Sequence, residues 1–136
     1  METIRTTYLQ DLRTEVTHVM SGNKIVTDAP LDNKGKGEFF SPTDMVSAAL
    51  ASCIFTIMGI AAREHGFLID GASCKTTKIM VSNPRRIGEI KIEYDFTGRD
   101  YTEKQKKILN YSVRNCPVSR SVNSEIFQNV TLNFRT

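Results

Sequence analysis

Ser41-Pro42-Thr43-Asp44-Met45-Val46-Ser47-Ala48-Ala49-Leu50-Ala51-Ser52-Cys53, continued by Ile54-Phe55-Thr56-Ile57-Met58-Gly59-Ile60-Ala61-Ala62-Arg63-Glu64-His65-Gly66, is the stretch that decides the fold. Ser41 offers a capping hydroxyl, Pro42 fits the first helical position, and Asp44 stands three residues after the cap, where an acid satisfies orphan amides and complements the dipole. A long apolar helix is therefore expected from 42 to about 65, stopping at Gly66. At a hundred degrees per residue, Val46, Ala49, Leu50, Cys53, Ile57 and Ile60 share one face, while Ala48, Ala51, Ile54, Phe55, Met58 and Ala61 occupy the others. Such a helix is apolar nearly all round and should be buried on most sides. Its small residues, Ala48, Ala49, Ala51, Ser52 and Gly59, would admit a close second backbone.

On the N-terminal side, residues 8–27 alternate in part, with Ser21-Gly22-Asn23 supplying turn chemistry, and read as a hairpin. Residues 28–40 are rich in breakers and form a loop whose final Phe39 and Phe40 need an apolar anchor. On the C-terminal side, strands are expected at 72–82 and 88–97, joined by Asn83-Pro84-Arg85-Arg86. Ile90, Ile92, Tyr94 and Phe96 fall on one face of the second, and Lys91, Glu93 and Asp95 on the other. Thr102 and Gln105 form a capping box for a helix running to Asn115, with Ile108, Leu109, Ser112 and Val113 inward; Pro117 ends it. A last strand carries Val130, Leu132 and Phe134. Strands, buried helix, hairpin, helix, strand is an α+β order.

A chain of 136 residues, 40% hydrophobic and 24% charged, has the material for one domain, expected to span 1–136. The net charge of +3 is small and dispersed, with no basic stripe interleaved with aromatics, which argues against nucleic-acid binding. The first ten residues have no apolar leader core, and no run approaches eighteen uninterrupted apolar residues, so a cytoplasmic protein without a membrane partner is expected. Cys53, Cys74 and Cys116 have no close cysteine or histidine at ligand spacing, so neither a zinc site nor any other metal or cofactor is expected, and an odd count argues against a disulfide scaffold. What remains is packed cysteine or reactive cysteine. Cys53 in mid-helix suits packing as a small hydrophobe, Cys74 in a strand suits the same, and Cys116 beside Pro117 sits where irregular backbone presents a thiol. His65 reads as a helix-end residue, and Lys104, Lys106 and Lys107 as a solvated helix face.

The run from Ser41 to Cys53, the helix to Gly66, and Asn115-Cys116-Pro117-Val118-Ser119-Arg120 resemble the two cysteine motifs of the OsmC/Ohr family, and the element order agrees over nearly the whole chain. The resemblance implies antiparallel sheets around a long buried central helix in an intertwined homodimer. It implies a cysteine-based hydroperoxide reductase of the stress response, in which Cys53 is the peroxidatic and Cys116 the resolving residue. The partners it implies are an organic hydroperoxide and an external dithiol reductant. A thiolate would attack the O–O bond, become a sulfenic acid, and condense with the second thiol before further oxidation. Phe39, Phe40 and Thr43 are the candidates for the substrate pocket, because an organic hydroperoxide needs apolar walls.

The family's glutamate ten residues before the peroxidatic cysteine is replaced here by Thr43, with Asp44 next to it turned away from Cys53 as a cap acid. The family's arginine has no evident counterpart; Lys24, Arg13 and Arg120 are the available cations. Lowering a thiol pKa from about 8.5 to about 6.5 takes about 2.7 kcal/mol, which a cysteine three turns inside its helix does not draw from that helix's dipole. The alternative is a non-catalytic protein of this fold that binds a small or acyl ligand in the apolar dimer-interface cavity.

Overall fold

A computed structural model describes residues 1–135, which form two compact units, Met1–Val46 and the described residues from Ser47 onward. In the first unit, β1 (Ile4–Gln10), β2 (Arg13–His18) and β3 (Lys24–Asp28) make an antiparallel sheet in that order. The β2–β3 hairpin turns through Gly22, at φ 76°, as the Ser-Gly-Asn signal predicts. A second hairpin, β1–β2, was not legible: it turns on Asp11 and Leu12, both left-handed at φ 54° and 64°, with no glycine to mark it.

A single helix, α1 (Pro42–Glu64), begins and ends as its sequence dictates. Ser41 N–H donates to Asp44 Oδ2 at 3.0 Å, and Asp44 N–H returns to Ser41 Oγ at 3.1 Å, so Asp44 is the cap acid. At the other end Phe67 N–H reaches the Ala62 carbonyl at 2.9 Å and Gly66 N–H the Arg63 carbonyl at 3.2 Å, a Schellman ending that needs Gly66 at φ 74°. His65 Nδ1 bonds the Ala61 carbonyl at 2.8 Å, the terminal role its position suggests.

The face of α1 that carries Cys53 is not its buried stripe. Leu50, Ala51, Ile54, Met58 and Ala62 make the buried stripe, whereas Val46 is 38% and Ile60 49% exposed, Ala49 is exposed, and Cys53 and Ile57 are half-buried. Nor is the helix buried on most sides within one chain. Apolar residues surround it, so periodicity does not choose a face; the sheet beside it does. The same composition gives α1 the length and mean hydropathy of a membrane span, 2.0 over its best window, yet Leu50, Ile54 and Met58 are fully buried in a protein core.

In the second unit, β4 (Ser73–Val81) and β5 (Arg86–Asp95) are antiparallel. Gly88 is required where they close, because a Cβ there would meet Val81 Cγ1 at 2.5 Å. From β5 the chain passes through α2 (Glu103–Ser112), a 3-10 turn over Val113–Asn115, and α3 (Pro117–Ser121) to β6 (Phe127–Asn133), which pairs with β5 in parallel. The second sheet is thus mixed, since a helical crossover returns the chain in its original direction. The Thr102–Gln105 capping box is present, with Gln105 N–H to Thr102 Oγ1 at 3.1 Å. Pro117 ends one helix and also starts another, α3, which the sequence reading missed. Ile90, Ile92, Tyr94 and Phe96 are buried on one face of the sheet with Leu50, Ile54, Met58, Leu109 and Cys116.

Candidate functional site

Cys53 is half-buried on α1, and Cys116 is completely buried just before α3. Their side chains lie within reach of each other. The backbone at Cys116 is extended, φ −79° and ψ 124°, because a residue before proline is kept out of the helical region. It serves as the N-cap of α3, its sulfur accepting the Ser119 N–H at 3.3 Å. Burial pushes the Cys116 thiol up, and the neighbouring Cys53 thiol adds to this, while the Ser119 N–H pulls the other way. Cys116 is therefore held in its protonated form beside Cys53.

Each of these turns is fixed from β5 or β6. Tyr94 on β5 donates its hydroxyl to the Ala51 carbonyl at 2.7 Å, two residues before Cys53 on α1, and its ring meets Phe55 edge to face at 4.6 Å. Gln128 on β6 bonds Ser119: its Oε1 accepts the Ser119 hydroxyl and its Nε2 donates to the Ser119 carbonyl at 3.0 Å. Cys74 lies opposite Tyr94 in the β4–β5 ladder and is half-buried. Burial raises its thiol pKa, with a Thr76 hydrogen bond working against that.

The structure brings Cys53 and Cys116 together. Phe39, Phe40 and Thr43 belong to the first unit, where Phe39 is 47% and Phe40 61% exposed. Of the three cations considered, Lys24 pairs with Glu15 at 3.3 Å. Arg120 donates to Asn115 Oδ1 at 3.0 Å, one residue before Cys116. Arg13 is the most heavily engaged: it grips the fully buried Asp28 with Nε at 2.8 Å and Nη2 at 3.0 Å, reaches Glu38 at 2.8 Å, and stacks over Phe39 at 4.8 Å. The Arg13 guanidinium holds the Asp28 carboxyl below its ordinary range against the opposing effect of burial. Sequence reasoning named Arg13 as an available cation and Tyr94 as an inward residue, but missed the Asp28 and Glu38 partners of the first, the Ala51 bond of the second, and Gln128; a glutamine in an inward register was the available signal.

An open groove of about 640 Å³ runs between α1 and α2, with Ile57, Ile60, Ala61, Ile108 and Tyr111 as walls and Lys104 and Lys107 on its rim. It passes from Ile57, one turn beyond Cys53, to Asn115, next to Cys116. Among the described residues, no three His, Cys, Asp or Glu side chains gather as a metal site.

The sequence model of the OsmC-like protein family matches residues 35–131. A crystal structure of a candidate osmotic stress induced and detoxification response protein from Psychrobacter arcticus 273-4 is similar at 44% identity and a TM-score of 0.93, covering 98% of this chain and 96% of that one. The organic hydroperoxide resistance protein OsmC of Legionella pneumophila shares the fold at 13% identity and a TM-score of 0.76, covering 98% of each chain. An organic hydroperoxide resistance protein from Elizabethkingia anophelis does so at 12% identity and 0.75, covering 98% and 97%. None of the curated proteins matches this chain.

Proposed function

Because the chain belongs to the OsmC-like protein family, we propose that it is a thiol-dependent peroxidase that reduces organic hydroperoxides in the cytoplasm, with Cys53 as nucleophile and Cys116 as resolving thiol. Family membership supports the broader redox or peroxide-stress role. The observation that carries the finer reading is the approach of two free thiols from separate elements, one half-buried on α1 and one buried just before α3.

The Cys53 thiolate attacks the distal oxygen of the hydroperoxide, the O–O bond breaks, and the alkoxide leaves as the alcohol after taking a proton. The Cys53 sulfenic acid then reacts with Cys116: the S–S bond forms, the S–O bond breaks, and the hydroxyl leaves as water with the Cys116 proton. An external dithiol reduces the disulfide by exchange and is itself oxidised. The contact between the thiols suits the second step, in which the sulfurs must approach to bonding distance. Phe39, Phe40 and Thr43 are the proposed substrate contacts, since both rings stand with apolar surface available to an organic group.

A homodimer completes the proposal. Val46, Ala49 and Ile60 leave an exposed apolar strip on α1, which a second copy of the helix would cover. The groove beside α1 favours the second reading, a protein that binds a small or acyl ligand without turnover. Hydroperoxide consumption under a dithiol decides between them. The wild type should turn over cumene hydroperoxide and Cys53→Ser should not, because a hydroxyl is a far weaker nucleophile than a thiolate. Wild-type protein that leaves the hydroperoxide untouched would reject the peroxidase.

A further inference from the structure

We infer that Gln128 is a positioning residue for the resolving thiol, acting through Ser119; this rests on the assignment of Cys116 above. In the parallel β5–β6 ladder Gln128, Val130 and Leu132 stand opposite Ile90, Ile92 and Tyr94, three fully buried residues. An apolar side chain is expected at 128 on that pattern. The glutamine found there spends its whole amide on one residue, accepting the Ser119 hydroxyl and donating to the Ser119 carbonyl at 3.0 Å.

Ser119 in turn donates its own N–H to Cys116 Sγ at 3.3 Å. The five residues of α3 are too few to hold a helix by themselves, so the cap geometry at Cys116 needs an outside anchor. Gln128 provides it from a strand that is hydrogen-bonded along its length to β5. The result is a chain of contacts from β6 through Ser119 to Cys116 and on to Cys53. It fixes the rotamer in which Cys116 meets Cys53, and keeps an amide N–H on the sulfur that becomes a thiolate when it attacks. That donor opposes the effect of burial on Cys116.

The step served is the one already balanced, attack of Cys116 sulfur on the Cys53 sulfenic acid with loss of water. Preorganisation of the second thiol accelerates that step and leaves the first, the reaction of Cys53 with hydroperoxide, untouched. This separation distinguishes positioning from general stabilisation.

The test is Gln128→Leu, whose side chain suits the apolar register. Sulfenic acid formation on Cys53, followed by trapping with a cyclic dione, should keep its wild-type rate, while closure of the Cys53–Cys116 disulfide should slow about tenfold, the factor that the loss of both Gln128 hydrogen bonds supplies. Ser119→Ala, which removes only the hydroxyl, should slow closure about threefold on the same scale, and keeps the inference testable if the leucine variant does not fold. Closure at the wild-type rate in either folded variant, or equal slowing of both steps, overturns it. Diamide couples the two thiols without any hydroperoxide. Slower closure of Gln128→Leu by diamide, in a protein whose wild type consumes no hydroperoxide, would uphold the positioning role and reject the peroxidase separately.

Discussion

Tyr94 gives the sharpest energetic prediction, because it is fully buried and its hydroxyl makes a single bond, to the Ala51 carbonyl at 2.7 Å. Tyr94→Phe removes the donor and keeps the ring. The Ala51 carbonyl, inside a helix, retains its ordinary partner four residues on, so no buried polar group is orphaned. The cost should be that of one net hydrogen bond, about 1 kcal/mol, or a fall in Tm of about 3–5 °C for a chain of this size. Tyr94→Ala also removes the edge-to-face contact with Phe55 at 4.6 Å and the stacked contact with Phe96 at 6.2 Å. Truncating a buried aromatic of this kind costs about 3–5 kcal/mol.

Burial pushes the Tyr94 hydroxyl up, and the neighbouring thiols of Cys74, Cys116 and Cys53 add to this. A raised pKa gives stability that is present below the ordinary tyrosine value of about 10 and lost only as pH climbs through the folded value. The Tyr94→Phe difference should therefore be flat with pH through neutrality. Thermal melts of both variants at one fixed protomer concentration provide the assay. A Tyr94→Phe variant that melts with the wild type, or that loses as much as Tyr94→Ala, would refute the reasoning, since the hydroxyl would then hold nothing or hold far more than one turn of α1.

Three further outcomes follow from the site and from α1. Cys116→Ser should still form a Cys53 sulfenic acid on the first exposure to hydroperoxide, and mass spectrometry should find it overoxidised to sulfinic acid after repeated exposure, because its resolving partner is gone. In the wild type the closure step should keep accelerating as pH rises past the range of an ordinary thiol, since the Cys116 pKa is raised and only its thiolate attacks; a rate already level at neutral pH would contradict that. Ile60→Asp, placing a charge in the exposed apolar strip of α1, should shift sedimentation from dimer to monomer, and a wild type that sediments as a folded monomer at micromolar concentration would remove the dimer.

The sequence by itself determined what is local. Ser41 and Asp44, Thr102 and Gln105, and Gly66 mark helix ends through bonds made within a few residues, so α1 and α2 were legible to within a turn. The alternation from Ile90 to Phe96 named the inward face of β5 because side chains in a strand have only two directions. The two cysteine motifs pointed to the family.

The tertiary structure decided everything that joins distant residues. Which stripe of α1 is buried depended on the sheet, because a helix apolar on all sides carries no phase. The turn at Asp11 and Leu12 was set by the pairing of its strands, since neither residue favours a left-handed backbone enough to announce it. The parallel return of β6 required the whole crossover to fold. The meeting of Cys53 with Cys116, the two hydrogen bonds between Gln128 and Ser119, and the grip of Arg13 on Asp28 are fixed by close packing between elements far apart in the chain. No local pattern encodes that packing, because each such contact exists only once the elements on both sides of it are in place.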